Sequence, residues 1–137
     1  VKAPTSRKTA MKCICFGYLD VQTREKKSPS EQNAMVDQCL AHDEVLKKNG
    51  HWADGEGPQD ATTLRYQNGK VSVSDGPYAE TKELLGDLLI LEARDLNHAI
   101  QLISNHPGIK MGRWKIRSAQ DLKPMIEASE RRRGDAK

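Results

Sequence analysis

The chain has 137 residues, enough for one domain whose core needs neither disulfides nor a structural metal. Its formal charge of +3 is too mild to call for nucleic acid or an anionic membrane as a partner. No apolar run approaches the ~20 residues that cross a bilayer, and residues 1–10 are polar with no apolar centre, so they read as a disordered leader or appended segment rather than a secretory signal.

The domain proper is expected over residues 11–118, followed by a helix and basic tail over 119–137. Lys12 to Leu19 alternates as a first strand. A polar loop follows, and Ser28-Pro29-Ser30-Glu31 opens a helix, with Ser30 as N-cap or Ser28 and Glu31 as a capping box. That helix runs to about Asn49, and Gly50 ends it. His51 to Glu56 is a candidate short strand, broken by Gly55, Gly57 and Pro58. Ala61 to Gln67 and Lys70 to Ser74 form a hairpin around Asn68-Gly69. Counting back from the turn, Leu64 faces Val73 and Thr62 faces Asp75.

Gly86 to Ala93 reads as a central strand with both faces covered. Asp95 or Asn97 caps a second helix, whose apolar stripe is Leu96, Ala99, Ile100 and Ile103. Pro107 and Gly108 end it. Lys110 to Arg117 is a last strand, and Asp121 to Arg133 a polar helix. This order predicts an α+β, ferredoxin-like domain with helices on one face of an antiparallel sheet. With 36% hydrophobic and 30% charged residues, the core is expected to be small and completed in part by a partner subunit.

Two residues stand out as carriers of chemistry. Val71, Val73 and Asp75 share one parity, so Asp75 places a carboxylate at the end of an apolar row, just before Gly76-Pro77. Asp-Gly-Pro is also turn chemistry, and a turn alone explains it equally well. Met35, Cys39, His42 and Leu46 form one stripe of the first helix, with His42 its polar member. A histidine in such a stripe is often a satisfied structural one.

The stretch Asp75-Gly76-Pro77-Tyr78-Ala79-Glu80-Thr81-Lys82-Glu83 resembles the signature of the YciI-like (DGPF-domain, YCII-related) family, with Tyr78 where that family usually has Phe. The resemblance extends to 61–65, to Leu84-Leu85-Gly86 and to 91–96, and covers about residues 11–118. It implies a homodimer whose two sheets meet face to face, as a dimeric α+β barrel. It also implies that His42 and Asp75 pair in a pocket. In such a pair the carboxylate fixes the imidazole tautomer, and the His moves a proton near neutral pH. No Ser or Cys has a claim as nucleophile, so a lyase or isomerase acting on a small molecule fits better than acyl transfer. Thr62, Pro77, Tyr78, Thr81 and Lys82 are the candidate substrate contacts, and Arg65 is a secondary one on the opposite face.

The remaining residues carry less. Cys13, Cys15 and Cys39 read as reduced core residues of a cytoplasmic protein, since a CxC pair lacks the ligand set of a structural zinc site. His51 differs in strand parity from both Asp54 and Glu56, which argues against metal. His98 and His106 read as surface and C-cap residues. Arg131-Arg132-Arg133 is a solvated run. No cofactor is called for. The rival to an enzyme is a module that binds a small metabolite without turning it over.

Overall fold

Apolar side chains at every second position of β1 (Met11–Asp20) bury Cys13, Cys15 and Gly17 on one face of a sheet. The computed structural model describes residues 10–75 and 83–134, apart from the side chains of Asp75 and Glu83. β1 is central and pairs antiparallel with β5 (Glu83–Ala93) on one side and β6 (Trp114–Ser118) on the other. β2 (Trp52–Glu56) adds to the free side of β5, giving the order β2-β5-β1-β6. β3 (Thr62–Gln67) and β4 (Lys70–Asp75) form a separate two-stranded sheet. The molecule is therefore an α+β protein with antiparallel sheets.

The polar segment after β1 holds a short helix, α1 (Val21–Glu25), because Asp20 accepts from the Gln22 and Thr23 N–H groups and caps it. α2 (Pro29–Lys48) starts at Ser28, not Ser30. Ser28 accepts from Glu31 N–H while Glu31 accepts from Ser28 N–H, so the capping box satisfies two donors at once. Pro29 occupies the first turn, where no N–H is needed. Gly50, with φ of +79°, follows the Asn49 C-cap. Asp95 caps α3 (Leu96–Ser104) by accepting from His98 N–H at 2.8 Å.

The last strand starts at Trp114 rather than Lys110. Pro107–Lys110 forms a 3-10 turn capped by the His106 side chain, so Lys110 belongs to that turn, and residues 111–112 bend before the strand begins. α4 (Lys123–Gly134) closes the described chain, its Met125 and Ile126 exposed, as is Leu122 just before it. No described helix is long and apolar enough to cross a membrane.

The core lies between the sheet and α2 and α3: Cys13, Cys15, Leu46, Leu89, Leu91, Ala93, Ala99 and Ile103. Burying a Leu such as Leu91 contributes about 1.5–3 kcal/mol. The stripe of α2 is real, with Leu46 buried and Met35, Cys39 and His42 half buried. The hairpin register also stands as counted: Leu64 pairs with Val73 and Thr62 with Asp75. Asn68 (φ 53°) and Gly69 (φ 76°) take the left-handed conformations of a two-residue turn. The apolar parity of this hairpin is not inward within the chain, however. Val71 is 61% and Val73 66% exposed.

Candidate functional site

The inner row of β1, β5 and β6 ends on a crossing formed by Gly17, Asp87 and Trp114. Gly17 pairs with Asp87 on one side and Trp114 on the other. The indole lies directly on Gly17, where a Cβ would come within 2.6 Å of the ring. Trp114 Nε1 donates to the Gly108 carbonyl at 3.2 Å, which ties β6 back to the 3-10 turn. The His106 ring packs against the indole at 5.4 Å between centroids.

His106, expected as a surface or C-cap residue, is 1% exposed. Its place follows from two hydrogen bonds. Gly108 N–H donates to Nδ1 at 3.0 Å, so Nδ1 must present its lone pair. The ring proton is then on Nε2, which donates to Asp43 Oδ1 at 2.9 Å. The pair is nearly sealed, with side-chain exposures of 0% for His106 and 11% for Asp43. A buried carboxylate costs several kcal/mol of lost hydration unless partnered, and His106 is that partner.

His42 stands next to this pair. Its ring meets His106 edge-on at 5.3 Å between centroids and 79° between planes. Burial lowers its pKa from the ordinary value, the His106 ring adds to that, and Asp43 opposes it. Asp87 is pushed up to about 6, by burial first and the Asp43 charge second, with His106 and the Leu88 N–H opposing. Cys39 completes the surroundings, its thiol held protonated by burial and by Asp43 and Asp87. The cluster thus sets two groups with shifted pKa values, His42 and Asp87, around the hydrogen-bonded Asp43–His106 pair.

Of the residues singled out from sequence, His42 sits in this cluster. Thr62 lies exposed on β3. Asp75 closes β4 opposite Thr62, but its carboxylate, and Pro77, Tyr78, Thr81 and Lys82, lie outside the described residues. Sequence reasoning missed Asp43, Asp87 and His106. Asp43 lies four residues after Cys39 and three before Leu46, so it shares the stripe credited to His42 alone. Asp87 shares parity with Leu89, Leu91 and Ala93. His106 precedes Pro107, the position of a capping side chain.

The other two histidines form a second edge-on pair. His51 and His98 meet at 4.9 Å and 81°. His98, also expected at the surface, is buried, and its Nδ1 accepts from Arg94 N–H at 3.0 Å. His51 Nδ1 donates to the Glu92 carbonyl at 3.1 Å. These contacts lock the end of β5 to the start of α3.

The cysteines are free; Cys13 and Cys15 are fully buried, and burial pushes Cys15 up to about 12. They are core residues without nucleophilic character. Among the described residues no three His, Cys, Asp or Glu side chains are placed to hold a metal ion. A cavity of about 180 Å³ opens between α1, the first turn of α2 and the paired ends of β1 and β5, lined by Leu19, Val21, Arg24, Glu25, Gln32 and Leu84. None of the cluster residues lines it.

A model of the YCII-related domain matches residues 11–123, and the chain belongs to that family. Among curated proteins none matches the chain.

Proposed function

We propose that this member of the YCII-related family is a cofactor-independent enzyme of lyase or isomerase type, acting on a small molecule through His42 as general base or acid. The observation that carries the reading is the setting of His42. It is half buried, edge-on to the sealed Asp43–His106 pair, and burial keeps it unprotonated at neutral pH. A positioned imidazole of that kind contributes ~10²–10⁴-fold to a proton transfer. Asp75 is the proposed orienter of His42, supported by its register opposite Thr62 at the end of β4. Thr62, Pro77, Tyr78, Thr81 and Lys82 are the proposed substrate contacts.

The same proposal includes a ferredoxin-like fold and a homodimer. The strand order β2-β5-β1-β6 with β3 and β4 inserted supports the first. The second is supported by the sheet face away from the helices, where Ile14 pairs with Ile90 and Phe16 with Leu88, all only half buried. Light scattering that gave a monomer at micromolar concentration would remove the dimer. Free cysteines fit a cytoplasmic setting.

The test of the base is the NMR titration of His42 in the native protein and in Asp75→Asn. A midpoint that falls by about one unit in the variant establishes the dyad, and a screen of small carbonyl compounds with His42→Ala as control then seeks the reaction. A His42 midpoint indifferent to Asp75 sinks that pairing. One observation favours a second reading, a metabolite-binding module: the cavity at Arg24 and Gln32 is apart from the titrating cluster. Ligands that shift cavity resonances and bind His42→Ala unchanged would support it.

A further inference from the structure

Asp87 occupies a position that the fold could fill with a Leu. β5 follows β1 in strict pairing until a shift between Gly17 and Tyr18, where Asp87 faces Gly17 and Leu85 faces Tyr18. Gly86 is left over as a bulge. Paired residues share a face, so the bulge puts Leu84, opposite Leu19, on the inner face together with Asp87. Asp87 continues the core row Leu89, Leu91 and Ala93, all buried. Gly17 opposite brings no side chain. Trp114 lies on Gly17, beside Asp87, and carries the His106 ring on it; Asp43 and His106 act electrostatically on Asp87, and Asp87 on Cys39, with the Leu88 N–H on its own strand. The largest charge acting on a carboxyl there is a second carboxylate, which is a poor choice for stability and a useful one for holding a proton.

We propose that Asp87 is the second proton-exchanging group of the site, donating a proton to the substrate while His42 removes one, with Asp43–His106 as the positioning pair. This rests on the reading of His42 as base. The substrate class is then a small carbonyl compound with an acidic neighbouring C–H. His42 takes that proton, the C–H electron pair forms the new double bond, and the displaced pair takes the Asp87 proton on carbon, oxygen or a leaving group. Water afterwards removes the proton from His42 and restores the one on Asp87, so no oxidant or reductant is needed.

Two covalent probes test the two groups separately on the full chain. Diazoacetamide esterifies only carboxyls that are both protonated and reachable, with loss of dinitrogen. Diethyl pyrocarbonate acylates reachable neutral imidazoles. At pH 6 the ester is expected at Asp87, about tenfold faster than at any ordinary carboxylate, because most of those have lost their proton there. The ester is expected to vanish in Asp87→Asn, to persist in His42→Ala, and to need lower pH in Asp43→Asn. Acylated His42 with unlabelled Asp87, or an ester on Asp43 in its place, overturns the proposal and leaves His42 standing as the base. Refusal of both probes means a sealed cluster and overturns both readings. Circular dichroism of each variant checks that the fold is retained.

Discussion

The two imidazole pairs of this molecule have almost the same geometry and opposite surroundings. His42–His106 and His51–His98 are both edge-on, at 5.3 and 4.9 Å. His51 and His98 satisfy their Nδ1 atoms on the backbone, at Glu92 and Arg94, and the nearest charges include the Arg94 guanidinium. His106 instead carries a buried carboxylate, and a second carboxyl, Asp87, faces the same spot. Ring packing alone therefore says little about chemistry. What separates a joint from a site here is that two acids, Asp43 and Asp87, act on the same ring.

Removing one ring from each pair gives the largest contrast. His106→Ala leaves Asp43 buried without its donor and is expected to cost about 3 kcal/mol in urea unfolding at pH 7.5. His98→Ala strands only the Arg94 N–H and is expected to cost about 1–2 kcal/mol. Equal losses would mean that the Asp43–His106 bond adds nothing beyond packing.

Asp87 gives the next effect, of opposite sign. Its folded pKa of about 6 lies above the ordinary 3.8, so the folded state binds that proton more tightly. Stability from this group is present below pH 4 and lost as pH rises toward 6. Asp87→Asn cannot ionise, so it is expected to stabilise the fold at pH 8 by about 2 kcal/mol and to change little at pH 4. A variant that is less stable than the native protein at pH 8 would show Asp87 to be a structural partner.

The smallest effect is the most specific. Both His42 and His98 titrate below the ordinary value, chiefly through burial, so each contributes stability above pH 6.5 that fades as pH falls. Asp43→Asn takes an opposite charge from beside His42. The His42 midpoint should drop further, while that of His98 stays where it was. A shared shift would point to a global loosening in place of a local field.

Short-range rules account for the features that sequence and fold share. Asn68-Gly69 fixed the hairpin and, through a two-residue loop, the pairing of Thr62 with Asp75. The i, i+4, i+7, i+11 spacing of Met35, Cys39, His42 and Leu46 located the buried face of α2. That same face contained Asp43, yet a stripe is wider than one line of residues, and periodicity could not say which polar member faced a partner. His106 was misjudged because its burial depends on Trp114 and α2 packing over the 3-10 turn. The Val71 and Val73 row was expected to turn inward, but a period of two defines a face without saying what covers it.

From sequence alone, the order of elements, the turn, the main helix starts and the family resemblance could be determined, because propensity, capping and motif act over a few residues. Which acids meet which rings was decided by the tertiary structure. Asp43 and His106 are 63 residues apart, and Asp87 comes to the same corner because β5 pairs with β1 in a register that sets it opposite Gly17, on which Trp114 lies. Local rules carry no distance between segments that the chain brings together last, and the charges that shift a pKa act through that distance.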